Sequence, residues 1–472
     1  MPRKHKTISL FIIILCLIII ILVALQWTKL REGTDKDGHL LVNQQIEIVH
    51  DSGKLKIKQT IQNLANHTYL LDLPKAGGNF TFLNKELWDE KNKSIAIRDN
   101  TFTIEYEINT TPENQAFLLE DWMVHISGVE IAHTIVKISE LTNMAGSWAA
   151  GAPMTYHEVL DQLQYYVFEK NGAHIPLYWQ KEQLSYTYIK DKIPVYTDEK
   201  TDSHFLNNSI VSQLNDDKEF PAVILTEHIN PLHSVPLIIE NPRIDQNILS
   251  SIWVEQFLLS NIWAGKDEEK WVMNILAGIT TEQPPTDELR GGQIYAELKN
   301  KLTKNEILKF ISSILQTDQK ITSLAEIDQL LGRVKGLKTS FFQDIAIEQI
   351  VNPLYFFTDE PIYVKNHKLE NDRVYWIDHV YYFPIKSIVK NLDYQFAQIS
   401  EDEIFITNGK TTFRFYDNKD FFLINEEQYG LLTMSDKLPY LKIKNEFYIQ
   451  KEFFRKVFRI EINHQNNQFF IN

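Results

Sequence analysis

The chain of 472 residues sets 48 lysines and arginines against 62 aspartates and glutamates, a formal net charge of −14. That balance excludes a nucleic-acid binder, which needs a basic surface to neutralise phosphates. A hydrophobic content of 44% and a charged content of 23% are those of an ordinary globular protein, and the length leaves room for two or three domains.

The start of the chain is unusual. Arg3-Lys4-His5-Lys6 precedes an uncharged, apolar run from Thr7 to Thr28, and Lys29 and Arg31 follow it. A run of that length can span a bilayer as a helix. A cleaved signal peptide would end in a small-x-small site, which Val23-Ala24-Leu25-Gln26 matches poorly. The expectation is a cytoplasmic tail over 1–7, a transmembrane signal anchor over 8–28 that makes the lipid bilayer a partner, and a linker over 29–39. The remainder is then expected outside the cytoplasm of a single-pass cell-membrane protein. The only cysteine, Cys16, lies inside the apolar run, so the rest of the chain has neither disulfide nor thiolate chemistry. An exported chain without disulfides suits a Gram-positive bacterial surface.

From about residue 40 the chain reads as strands. Ile46 and Ile48 alternate with polar residues, Asp51-Ser52-Gly53 turns, and Leu55 and Ile57 resume the alternation, which predicts a hairpin. Phe102, Ile104, Tyr106 and Ile108 alternate in the same way. Aromatic segments at 165–168 and 175–179 continue the pattern, so a β domain is predicted over 40–195. Past the polar stretch Thr197 to Lys218 the periodicity becomes helical. Helices are predicted over Asn247 to Leu259, Glu268 to Ala277, Leu289 to Leu302, Lys304 to Leu315 and Leu324 to Leu331. Thr303-Lys-Asn-Glu306 and Ser323-Leu-Ala-Glu326 have the form of capping boxes. Beyond roughly residue 350 short aromatic strands return, with two brief helical insertions.

Trp253 to Gly265, Trp271 to Ala277, Arg290 to Leu298, Ile321 to Glu326 and Gly336 to Phe342 stand in an order similar to the motifs of the gluzincin family, the M1-type zinc aminopeptidases. Ile239-Glu-Asn-Pro242 echoes that family's substrate-amine loop. The resemblance implies an N-terminal β saddle followed by a helical domain with a zinc-binding HExxH helix. Here the interval between His233 and His367 has no histidine. On one register the two metal histidines become Val254 and Leu258, with Glu255 at the general-base position. On the other they become Gln256 and Ser260, with Phe257 at the base. The third ligand falls near Asn274 or Ile275. Without the metal that makes bound water a nucleophile, Glu255 has nothing to act through. The helical spacing of Trp253, Phe257, Leu258 and Ile262 is that of core packing.

Two other histidine patterns stand apart. His157-Glu158-Val-Leu-Asp161 is one residue from HExxH, but lies ahead of the helical region. Glu227-His228 and His233 sit among Pro231 and Pro236, as loop residues do. Further on, Tyr382 to Phe396 resembles an element of the stalk domain, also named after the N-terminal domain of copper amine oxidases. Phe447 to Val457 repeats it, and strands are expected around Asn408-Gly409-Lys410. Asp393 stands where that element has a turn glycine. The resemblance implies a small α+β module without copper or oxidase chemistry.

The fold class expected is therefore α+β and multidomain. It comprises the transmembrane helix, a β saddle over 40–195, a mostly α gluzincin-like domain without zinc ligands over 196–350, and a stalk-like α+β module over 351–472. The expected function is non-catalytic binding of a peptide or cell-envelope component, with no cofactor, no metal and no catalytic residue. The binding candidates are Glu240, Asn241, Glu255 and Asn274. Two alternatives are a hydrolase using His157 with Glu158, or His228 with His233, and a structural spacer.

Overall fold

The computed structural model describes residues 42–472 except 52, 84–86, 111–114, 142–145, 161–162, 198–205, 207–213, 215–217, 286–289, 371 and 431–437. The described chain divides into two compact units, one reaching Ser260 and one running from Asn261 to Asn472.

The first unit is built on a seven-stranded sheet, and the alternation read from the sequence is what makes it. Val42–Asp51 buries Gln44, Ile46, Ile48 and His50, while Lys54–Gln62 buries Leu55, Ile57, Gln59 and Ile61. The two strands pair antiparallel from Asn43↔Gln62 to Asp51↔Lys54, the predicted hairpin. The sheet order is Met154–Leu160, Leu163–Asn171, Ile131–Glu140, Val42–Asp51, Lys54–Gln62, Thr101–Asn109, Gly77–Phe82. Only Val42–Asp51 and Ile131–Glu140 run parallel. A three-stranded sheet of Ser147–Ala150, Leu177–Gln180 and Ala116–Leu119 shares its core through Trp148, Tyr178 and Trp179.

A five-stranded sheet follows, in the order Ser185–Ile189, Ile193–Thr197, Ala222–Leu225, Leu237–Glu240, Leu232–His233. Its middle three strands are parallel. This corrects the expected fold class. The part expected to be mostly α opens with strands, and the chain is mostly β, 43% strand against 22% helix. The physical reason lies in Ala222-Val-Ile-Leu225 and Leu237-Ile-Ile-Glu240. Parallel strands buried on both faces show short continuous apolar runs, which carry no period of two to betray them. The helix α1 (Gln246–Asn261) closes the first unit.

The second unit begins with helices α2 (Trp271–Thr281), α3 (Gly291–Lys301), α4 (Lys304–Leu315), α5 (Leu324–Arg333) and α6 (Phe341–Glu348). Thr303 forms the predicted capping box: its hydroxyl accepts from the Glu306 N–H, and the Glu306 carboxylate accepts from the Thr303 N–H at 2.8 Å. Ser323 does not cap α5; the Glu326 carboxylate instead accepts from the hydroxyls of Thr322 and Ser323. Helix α6 was not foreseen. It is capped from outside, because the buried Asp328 carboxyl of α5 accepts from the backbone N–H groups of Phe342 and Gln343 at 2.9 and 3.1 Å. Burial pushes the Asp328 carboxyl up to about 6 in spite of those donors.

The C-terminal part is a strand–helix–strand arrangement used twice. Val380–Pro384 leads into α7 (Ile385–Asn391) and then Gln395–Ser400. Glu446–Gln450 leads into a short helical turn over 451–458 and then Ile462–Gln465. The two leading strands pair antiparallel, Tyr382↔Gln450, so the sequence repeat is a spatial pair. Asp393 holds a left-handed φ of 66°, the conformation a glycine would adopt without strain.

The single-pass localisation is corrected as well. Among the described residues no helix is long and apolar enough to cross a membrane. The segments 1–7, 8–28 and 29–39, with Cys16, on which that expectation rested, lie outside the described residues.

Candidate functional site

Helix α1 is the segment that the motif comparison places at a metal site. Trp253 and Phe257 are fully buried, and with Phe220 they form a stack of nearly parallel rings at centroid distances of 5.4–6.3 Å. The Trp253 indole donates to the Pro221 carbonyl at 3.0 Å, which fixes the rotation of the helix. That rotation sends Val254 and Leu258 into the core at 1% exposure each. On the alternative register Gln256 is also buried, and the Ser260 hydroxyl donates back to the Phe257 carbonyl at 3.0 Å. Three of these four positions, Val254, Leu258 and Gln256, hold buried side chains, and Ser260 is half-buried. Glu255 is half-buried on the same helix.

The other binding candidates fall as follows. Glu240 ends the strand Leu237–Glu240 at 8% exposure. One carboxyl oxygen is 2.6 Å from His233 Nε2, and the other accepts from the Asn241 N–H at 3.0 Å. Both oxygens are thus engaged within the chain. Asn241 is exposed and its side chain accepts from the Arg243 N–H at 2.9 Å, an Asx turn leading toward α1. Asn274 is half-buried on α2, in the second unit, among the buried Val272, Met273, Ile275 and Leu276.

The histidine patterns also take definite places. His157 and Glu158 lie on the exposed strand Met154–Leu160, at the edge of the seven-stranded sheet. Successive strand residues face opposite sides, so these two do not act on one point as neighbours in a zinc-binding helix do. The His157 ring stacks on Tyr166 at 4.4 Å, and Glu158 accepts from the Tyr156 hydroxyl. Asp161 lies outside the described residues. His228 pairs with Glu182 at 3.1 Å, while His233 pairs with Glu240, so the two imidazoles serve separate carboxylates. Among the described residues no group of three or more His, Cys, Asp or Glu side chains could hold a metal ion.

The chain is similar to solved structures of an M1 zinc metallopeptidase from Deinococcus radiodurans. One, a mutant bound to a Tyr-Ser-Ala substrate, is 10% identical with a TM-score of 0.44, over 67% of this chain and 97% of that one. Another, of the M1 zinc metallopeptidase from the same organism, is 10% identical with a TM-score of 0.41 over the same shares, 67% and 97%. No family model matches the chain, and no curated protein does. A likeness of that size carries no residue role across.

The sequence reading missed a buried polar cluster in the first unit. One Glu140 oxygen lies 2.7 Å from His50 Nδ1 and accepts the indole N–H of Trp148 at 2.7 Å and of Trp179 at 3.1 Å. His50 and Glu140 are 3% and 2% exposed. Because that oxygen already accepts two indole protons, His50 Nδ1 is best assigned as a third donor. The imidazole is also ringed edge-on by Phe117, Trp148 and Trp179 at 5.3–5.9 Å. Gly146 leaves room for the cluster, since a Cβ there would lie 2.4 Å from Trp179 Nε1. His50 and Glu140 are register partners on the two parallel strands, and the tryptophans belong to the three-stranded sheet. The cluster therefore pins one sheet to the other. The signal was present in the sequence as His50 and Glu140 in the inward phase of strands whose other inward residues include Ile46, Ile48, Val136 and Ile138, with Gln44 and Thr134 as further polar members.

Proposed function

We propose that the chain is a non-catalytic binding protein, a peptidase-like scaffold that holds an extended peptide without cleaving it. The observation that carries this reading is the packing of α1. Val254 and Leu258, at the metal-histidine positions of the gluzincin-like pattern, are core residues at 1% exposure, and the Trp253–Phe257 stack locks the helix in that rotation. A zinc aminopeptidase needs the opposite arrangement, two imidazoles one turn apart facing a water-accessible metal. On the register of Val254 and Leu258, Glu255 keeps the general-base position, without the imidazole pair that would hold a metal beside it. The paired states of His228 and His233 with separate carboxylates weigh against the hydrolase alternative.

The experiment is incubation of the full chain with a mixture of unblocked hexapeptides, followed by mass spectrometry of the bound and free fractions. The reading expects a retained fraction with every peptide intact. Progressive loss of amino-terminal residues would refute it, and so would the absence of any retained peptide.

A further inference from the structure

The second unit contains a groove that the peptidase-like reading does not use. It encloses about 290 Å³, at the small end of the range for ligand pockets (about 300–1,000 Å³) and so sized for a small molecule. Its floor is aromatic: Phe341, Tyr355, Phe357 and Tyr375 line it, with Tyr375 edge-on to both Tyr355 and Phe357 at 5.9 Å. Its walls are fixed. Lys338 and Phe357 exchange two backbone hydrogen bonds of 2.8 and 2.9 Å, which ties the segment entering α6 to the strand Phe356–Thr358.

One side of the groove is acidic and the other mixed, with Lys442 and Lys444 beside Asp417. Asp344 and Glu348 stand one helical turn apart on α6. Facing them is the hairpin between Tyr440–Ile443 and Glu446–Gln450, whose turn residues Lys444 and Asn445 both have positive φ. That turn places the Lys444 ammonium 2.5 Å from Asp344 Oδ1, while Asp344 Oδ2 accepts from the Ser340 hydroxyl at 2.7 Å. The pair is partly exposed, 42% for Lys444 and 19% for Asp344, so water screens it and holding it closed contributes little. Behind it Lys442, only 12% exposed, lies 3.5 Å from Asp402 and 3.6 Å from Asp417, longer than a short charge-assisted bond.

An ion pair across the mouth of an aromatic pocket specifies the charge of what can enter. A ligand with one charge would take one partner and strand the other. A ligand with an ammonium and a carboxylate a few bonds apart replaces one pair by two and leaves neither side unmatched. We propose that this groove binds a small zwitterion, a free α-amino acid or dipeptide with an apolar or aromatic side chain. Its ammonium takes the place of Lys444 at Asp344, its carboxylate takes the place of Asp344 at Lys444, and its side chain lies on the Tyr355–Phe357–Tyr375 floor. The inference is independent of the peptide reading of the first unit, because no residue of α1 takes part.

The test is isothermal titration calorimetry of the full chain with L-phenylalanine and glycyl-L-phenylalanine. N-acetyl-L-phenylalanine and L-phenylalanine amide, each lacking one charge, are the comparison ligands. At least one of the two zwitterions is expected to bind saturably, with each singly charged analogue at least about tenfold weaker. Asp344→Asn and Lys444→Gln are each expected to lower the zwitterion's affinity by at least about tenfold. Lys444 lies on an exposed turn, so Lys444→Gln keeps the test valid if Asp344→Asn disturbs α6. Failure of both zwitterions to bind, equal binding of the blocked analogues, or unchanged affinity in Lys444→Gln would each overturn the proposal.

Discussion

Replacing Glu140 by alanine tests whether the buried cluster of the first unit holds its two sheets together. The side chain is 2% exposed, and its loss leaves three buried N–H groups without their acceptor: His50 Nδ1 and the indoles of Trp148 and Trp179. Each stranded donor costs about 1–3 kcal/mol, and relaxation recovers part of the sum, so Glu140→Ala is expected to destabilise the unit by about 4 kcal/mol. Glu140→Gln keeps an acceptor oxygen of similar reach and is expected to cost about half as much. The assay is urea unfolding followed by tryptophan fluorescence, to which Trp148 and Trp179 both contribute. With a slope of about 2–3 kcal/mol per molar urea, the midpoint falls by roughly 1.5 M in Glu140→Ala. Adding His50→Ala in that background is expected to do little more, because the two residues share one network. A loss below about 1 kcal/mol in Glu140→Ala, or full additivity of the two substitutions, would refute the claim that the cluster acts as a pin.

Two further outcomes follow from the second unit. The Asp328 carboxyl titrates at about 6 in the folded chain against 3.8 as its ordinary value, so the folded state holds this proton more tightly than the unfolded one. Its contribution is fully present below pH 3.8 and is lost as the pH rises through 6. The loss amounts to roughly 3 kcal/mol. Asp328→Asn, which keeps an acceptor for the α6 N-terminus, should flatten the denaturation profile between pH 4 and pH 7; an unchanged profile would show that Asp328 is not the titrating group. Asp393→Gly should raise the stability of the C-terminal module by about 0.5–1 kcal/mol, because it relieves a left-handed backbone, while the Lys365 ion pair it removes is largely exposed. A fall in thermal midpoint would contradict that assignment.

The sequence was most legible where one period dominates. The alternation in Val42–Asp51, Lys54–Gln62 and Thr101–Asn109 placed the first sheet, and the helical period together with Thr303 placed α4. It was least legible where the deciding partner is distant. Helix α6 is capped by a carboxyl from α5; Ser340-Phe-Phe-Gln343 has the spacing of a capping box, but the Ser340 hydroxyl makes no cap bond and donates to Asp344 instead. The parallel strands Ala222–Leu225 and Leu237–Glu240 are too short and too uniformly apolar to be told from helix. The resemblance behind the non-catalytic proposal could be read from residue types alone, because a ligand set is a local pattern. The zwitterion groove joins residues 339–357 to Tyr375 and to the turn at Lys444, and that meeting is a product of the fold.

The central proposal is that α1 carries core residues, Val254 and Leu258, where the motif resemblance would put metal ligands. It is tested most directly by the zinc content of the full chain after equilibration with excess zinc and exhaustive dialysis, measured by mass spectrometry of the metal. The account predicts far less than one zinc per chain, with no change when Glu255 is replaced by alanine. One firmly held zinc per chain, accompanied by release of amino-terminal residues from an unblocked peptide, would contradict it.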